Sequence, residues 1–269
     1  LIRYLMRHRH TTPFEMVEFK FHCKMPIFVA RQWVRHRTAN INEYSLRYSK
    51  ARDEFYYPDP QNIQFQSALN KQGRSGKVPK ELTDKVQKYF HEISERSFEM
   101  YQELNESGLS RELIRGILPV NLYTEWYWKN DLHNLLHFIG LRSDSHAQYE
   151  IRVYSDAMAD FVKKVAPYAW EAYQDYVVRG LRFSRIEQDL LNQHLPERVI
   201  DDILEDLAYQ LTATIHKNKP REDHELYSLY QKQEGHDTED DFQLKWRSGE
   251  IRTGNIREIR EFKSKLQGL

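Results

Sequence analysis

Three arginines, Arg35, Arg37 and Arg47, stand close together in RHRTANINEYSLRY (35–48), interleaved with His36, Asn40, Asn42, Glu43 and Ser45. A stretch this polar is costly to bury unless its groups find partners. The guanidinium fork stays charged and matches phosphate oxygens bidentately, so these arginines, with Gln32 and Ser45, form a candidate grip on a phosphate. Glu43 is foreign to a pure anion site, but it can orient an arginine or accept a ligand N–H. The competing reading is a solvated helix end with surface ion pairs, which contribute little. Spacing alone leaves the two readings even.

A second group lies in DLHNLLHFIGLR (131–142). At helical spacing Leu132, Leu135, Leu136 and Ile139 share one arc, and His133 and His137, four residues apart, share the opposite one. His-x-x-x-His is a metal-ligand spacing. A zinc protease, however, needs Glu directly after the first His, where Asn134 stands. The other readings are an imidazole pair lining a planar cofactor, or two ordinary surface histidines. Arg142 closes the helix, where its charge complements the macrodipole. Cys23 is the only cysteine. It falls on the apolar face of a strand, which favours an inert buried thiol over a nucleophile. No glycine-rich dinucleotide loop is present.

These residues need elements to hold them. Residues 1–9 have a helical pattern, broken by Thr11-Thr12-Pro13. MVEFKFHCKM (16–25) alternates, with Val17, Phe19, Phe21, Cys23 and Met25 on one face, and predicts a half-buried strand. Pro26 suits the start of a helix over IFVARQWVRHR, with Ile27, Val29, Ala30, Trp33 and Val34 inward, so that 35–48 becomes a helix end running into a loop. Residues 52–80 read as irregular. A helix follows over 79–106, with Leu82, Val86, Phe90, Ile93 and Tyr101 near one stripe. Ser110 is placed to cap a short helix carrying Arg115. LPVNLYTEWYWK (118–129) reads as a strand, 131–141 and 145–165 as helices, with more helix to about 216. The charged stretch after Pro220 reads as a surface-attached helical tail.

Composition narrows the function classes. Forty basic and forty acidic residues balance, so the arginine cluster is local and suits a small anionic ligand better than nucleic acid. Aromatics at 13% with only 10 Gly and 9 Pro argue for a packed core. One cysteine allows no internal disulfide or thiolate metal cluster. No apolar run approaches the ~20 residues of a membrane span, and LIRYLMRHRH is not a signal peptide. The expectation is a cytoplasmic protein with no membrane partner. The chain starts inside a helical pattern with no Met and is expected to be trimmed.

The residues 35–48 resemble the signature of the flavin-dependent thymidylate synthases, RHRxxSxNExSxR, matched by Arg35, His36, Arg37, Asn42, Glu43, Ser45 and Arg47. HRHTTPFEMVEFKFHCKMPIFVARQW, LPVNLYTEWYW and DLHNLLHFIGLRSDSHAQYEIR resemble the same family in the same order, over roughly residues 1–190. Asn40 stands where the family usually has Ser, and Met16 where it often has His. The family's upstream segment, which helps hold the flavin, is expected to be absent from this chain.

The resemblance implies an α+β fold with a twisted antiparallel or mixed sheet flanked by long helices. It places a family domain at 1–195 and a helical, charged extension at 196–269. It implies an enzyme that makes dTMP from dUMP, with methylenetetrahydrofolate as carbon donor, NADPH as reductant and FAD as hydride carrier, in a homotetramer whose sites are shared between subunits. It assigns dUMP binding to Gln32, Trp33, Val34, Arg35, Glu43, Tyr44, Ser45, Leu46, Arg47 and Arg115. It assigns FAD contacts to His10, Thr12, Arg35, His36, Arg37, Glu43, Asp131, Leu132, His133 and His137, with no metal. Arg142 is implied at the pyrimidine, stabilising uracil as it becomes anionic. The alternatives are a non-catalytic nucleotide- and flavin-binding homologue and, further off, a histidine-based metallohydrolase.

Overall fold

The computed structural model describes residues 1–68 and 73–194, with single positions at 203, 207 and 262. It has two compact units, Leu1–Gly180 and Leu181–Leu269. In the first, α1 (Ile2–Arg7) and α2 (Thr12–Glu15) lead into β1 (Glu18–Pro26) and α3 (Ile27–Trp33). β2 (Asn40–Glu43) and the short β3 (Phe65–Gln66) and β4 (Arg74–Ser75) follow. Then come α4 (Lys80–Glu106), α5 (Arg111–Ile114), β5 (Tyr123–Asp131), α6 (Leu132–Arg142), α7 (Tyr149–Val165) and α8 (Pro167–Tyr173), which runs into a π-helical stretch, Gln174–Val178. The second unit contributes α9 (Arg185–His194).

The main sheet is antiparallel in the order β1-β5-β2, and β3 pairs with β4 as a separate hairpin. β5 is central. Glu18 faces Asp131 and Pro26 faces Tyr123 on one side, while Asn40 faces Lys129 and Glu43 faces Trp126 on the other. Period-two alternation turns Thr124, Trp126, Trp128 and Asn130 of β5 inward, along with Cys23 and Met25 of β1. Under this face Trp33 lies fully buried, stacked on Phe138 (ring centroids 5.0 Å apart) and edge-on to Trp126 and Trp128 (5.5 Å each). A second apolar cluster, Ala51, Phe55, Phe98, Tyr101, Ile114 and Leu122, fastens α4 and α5 to the loops beyond β2.

The α+β class and the antiparallel sheet agree with expectation, and several boundaries move. α3 stops at Trp33. Arg35 and His36 donate their N–H groups only three residues back, to Gln32 and Trp33, which tightens and ends the helix. Val34, expected inward, is 39% exposed beyond that end. Residues 40–43 are a strand rather than loop, drawn in by the free edge of β5. β5 begins five residues later than the strand expected from 118. Along α4, Leu82 and Ile93 are exposed, and Ser94, Ser97, Phe98 and Tyr101 carry the buried side. Ser110 sits at the N-cap of α5 without a capping side-chain bond. α7 begins at Tyr149 rather than 145. The helix expected beyond 194 and the tail after Pro220 lie outside the described residues, apart from the three single positions. Among the described residues no helix is long and apolar enough to cross a membrane.

Candidate active site

Residues 43–48 form a braced turn. The Arg47 N–H donates to Ser45 Oγ (3.3 Å), Tyr44 Oη donates to the Lys50 carbonyl (3.0 Å), and Arg111 donates to the Tyr48 carbonyl (2.8 Å). Leu46 packs on the second core cluster. Glu43, at the end of β2, accepts a 2.7 Å hydrogen bond from Thr124 Oγ1 on β5. The turn faces a cavity of about 410 Å³ lined by Glu43, Tyr44, Ser45, Leu46, Arg115 and Gly116, with Ile27, Leu118, Leu122 and Thr124 behind them. Arg115 and residues 43–46 lie some seventy positions apart in the chain and meet in one cavity. Arg47 is beside it but not free, since it pairs with Glu112 at 3.1 Å.

A second group forms where β5 passes into α6. His36 is 8% exposed, under Trp128 and Phe138, with the exposed His137 ring 5.8 Å away. Burial lowers its pKa, His137 and Arg142 lower it further, and Asp131 works against them. His36 is therefore a neutral imidazole at neutral pH. Asp131 caps α6, accepting from the Asn134 N–H and side-chain amide at 2.8 Å each. Its carboxylate, expected at the flavin, accepts one bond on each oxygen in this cap and keeps further lone pairs. Arg142, at the end of α6, is half-buried. Its Nε is buried without a hydrogen-bond partner, and burial lowers its pKa. It remains a cation, because guanidinium does not deprotonate in proteins.

Arg35 and Arg37 flank His36 on the exposed side, and no ion pair or hydrogen bond of their side chains is found among the described residues. His10 and Thr12 are exposed, and His133 is half-buried. Gln32 holds its Oε1 buried and unpartnered. The side chains of Trp33 and Leu132, 0% and 2% exposed, belong to the core, so a ligand contact there would fall to their backbones. No third His, Cys, Asp or Glu joins His133 and His137 in a metal-ligating group among the described residues.

The two groups do not merge within one chain. The cavity holding Glu43, Ser45 and Arg115 has no residue of 31–37 or of α6 in its wall. Thr124 at one end of β5 and Asn130 beside His36 at the other are six residues apart, about 20 Å at strand rise. Cys23, 7% exposed, has its thiol pushed up to about 12 by burial, which removes the nucleophilic thiolate at neutral pH. Sequence reading missed Thr124 and Asn130, which depend on strand register, and the capping role of Asp131, which is local to the start of α6.

Comparison with known proteins matches this architecture. The family profile described as thymidylate synthase complementing protein covers residues 1–168. A flavin-dependent thymidylate synthase of Rickettsia conorii is 51% identical over 206 residues, 72% of this chain and 70% of that protein. One from Dictyostelium discoideum is 50% identical over 196 residues, 73% of this chain and 64% of that one. Among solved structures, a UMP/dUMP methylase, PolB from Streptomyces cacaoi, bound with 5-Br UMP, is 35% identical with a TM-score of 0.61, over 64% of this chain and 80% of that one. With the family profile matched over residues 1–168 and about half of the aligned residues identical to the curated relatives, the chain belongs to the flavin-dependent thymidylate synthase family.

Proposed function

We propose that this chain reductively methylates dUMP to dTMP, with methylenetetrahydrofolate as carbon donor, NADPH as reductant and FAD as the bound flavin, in the cytoplasm. The observation that carries the reading furthest is the meeting of Arg115 with Glu43, Tyr44, Ser45 and Leu46 in one cavity. That is the polar, cation-bearing concavity a nucleotide requires.

The chain's own residues divide the work. Arg115, Ser45 and Arg47 would hold the phosphate and ribose, Arg47 exchanging its pair with Glu112 for the ligand. Glu43 would accept from a ligand N–H or hydroxyl while Thr124 fixes its other side. The residues present fit a flavin: unpaired Arg35 and Arg37 face solvent beside a neutral His36, with His10, Thr12, His133 and His137 within the same assignment. FAD would supply the redox capacity that the side chains lack. Arg142 would place fixed positive charge at the uracil ring, stabilising it as negative charge develops. Its unpartnered Nε supports that role, because a buried N–H donor without an acceptor is costly unless a ligand completes it. The cavity lacks every residue of the second group, which supports sites assembled from neighbouring chains in a homotetramer.

The test is direct. Purified protein is denatured and its supernatant analysed for flavin, and dTMP is measured with dUMP, methylenetetrahydrofolate and NADPH. Flavin together with dTMP is the expected result. Flavin and dUMP binding without dTMP would turn the reading to a non-catalytic binding homologue, and failure to release or rebind flavin would end it.

A further inference from the structure

The β5 face beneath His36 carries an inconsistency. Its inward positions are Thr124, Trp126, Trp128 and Asn130, and Asn130 is 3% exposed at the point where another apolar residue would complete the core. A buried amide costs free energy unless it is hydrogen-bonded. Asn130 has one side-chain partner: its Nδ2 lies 3.3 Å from His36 Nε2, and its Oδ1 is buried with none. Thr38 Oγ1 approaches the same ring nitrogen at 3.1 Å.

The unpartnered oxygen decides which way the amide points. Rotated by half a turn, it would set Oδ1 against Nε2 and leave the NH2 group, with two donors, buried without an acceptor. Orphaned donors are rarer in folded proteins than under-used carbonyl oxygens. Nδ2 therefore donates to Nε2. A neutral imidazole that accepts at Nε2 carries its proton on Nδ1. The Thr38 hydroxyl both donates and accepts, so its 3.1 Å contact with the same nitrogen does not select the tautomer.

We propose that Asn130 is a positioning residue which, by donating to His36 Nε2, fixes His36 as the Nδ1–H tautomer. Residues 35–37 are then a donor-only stretch, two guanidiniums and one imidazole N–H, suited to the acceptor oxygens of an anionic ligand. The functional half of this inference rests on the flavin and nucleotide reading above, and the tautomer half does not. The charged and titratable groups that bear on the ring are His137 and Arg142 from α6 and Asp131 from the β5–α6 junction; Arg35 and Arg37 are its neighbours in the chain.

The experiment is a two-bond 1H–15N correlation spectrum of full-length protein labelled at histidine, with the His36 signal assigned by its loss in His36→Gln. Wild type is expected to show a protonated Nδ1 and an unprotonated Nε2 at neutral pH. In Asn130→Asp, whose carboxylate only accepts, the proton should move to Nε2 and the His36 titration should move upward. Thr38→Val should keep the wild-type tautomer. A wild-type spectrum with protonated Nε2 overturns the proposal, and does not depend on any Asn130 variant folding. So does an Asn130→Asp spectrum in which tautomer and titration are both unchanged. Flavin affinity supplies the second readout. Asn130→Asp should weaken it about tenfold, the size expected when one donor to the ligand is inverted, while Asn130→Gln, which retains a donor, should recover part of the loss. Equal loss in both variants, with the tautomer as predicted, would confine Asn130 to a structural role. If wild type binds no flavin while His36 shows the predicted tautomer, the family function fails and the positioning of His36 stands.

Discussion

Arg142 keeps a cation in a half-buried position with its Nε unpartnered, so its removal is expected to cost chemistry rather than folding. Arg142→Ala should lower dTMP formation by about 10²-fold or more at saturating dUMP, with flavin binding and thermal stability near wild type. A change in dUMP affinity alone would contradict that role. Cys23→Ser should leave turnover intact and cost about 1–3 kcal/mol of stability, measured by denaturant titration, since the hydroxyl enters an apolar face. Away from the site, Glu150 is 5% exposed, accepting from Arg74 at 2.8 Å, Tyr56 Oη at 2.8 Å and Gln148 at 2.9 Å. Burial alone would raise its pKa, but these bonds outweigh burial and leave it lowered. A depressed carboxyl contributes stability that is complete above its unfolded pKa and lost as pH falls through the folded one. The advantage of wild type over Glu150→Gln should thus be full at about pH 7 and shrink towards pH 3, and equal melting differences at both would contradict it. At this scale the arginines, Glu43, Ser45 and the pair His133 and His137 could be picked out by spacing, but the choice of a ligand site over a solvated surface came from the family resemblance. Partnership was not legible, because Glu112 on Arg47 and Thr124 on Glu43 depend on which elements pack together.

Among the elements, β1 and α6 could be read from periodicity because one face of each meets the core. β2 could not. All four of its residues are exposed, so no alternation marks it, and it exists only because β5 offers an edge. The turn after Trp33 was hidden for a related reason: the apolar spacing runs on through Val34, while the hydrogen bonds tighten and stop the helix. The contact between α6 and α8 gives an element-scale prediction. A Cβ on Gly140 would meet Tyr173 Oη at 2.8 Å, and that hydroxyl is buried without a partner. Gly140→Ala gains about 1 kcal/mol of helix propensity but forces overpacking that typically costs about 1–3 kcal/mol. It should destabilise the protein, whereas Gly140→Ala combined with Tyr173→Phe should equal or exceed the stability of Tyr173→Phe alone. Chemical denaturation of the four proteins checks this. The same loss from Gly140→Ala with and without the hydroxyl would show that the contact is not the cause.

At the scale of the whole molecule, the family resemblance in the sequence anticipated both the fold and the family, and the incomplete site explains why assembly had to be inferred from that resemblance. Periodicity reports which faces are buried within a chain, not which surfaces meet between copies. One chain gathers Glu43, Ser45 and Arg115 in a cavity and holds His36, His137 and Arg142 elsewhere. A nucleotide bound by both groups needs them brought together by a second copy. The decisive measurement mixes two variants, each inactive by itself: Arg142→Ala and Arg47→Ala chains are denatured together, refolded, loaded with flavin and assayed for dTMP under limiting dUMP. If each site takes Arg47 from one chain and Arg142 from another, about a quarter of the sites in a random equal mixture are wild type, and activity returns in that proportion. A refolded mixture no more active than its components, beside a refolded wild type that is fully active, would contradict the shared site.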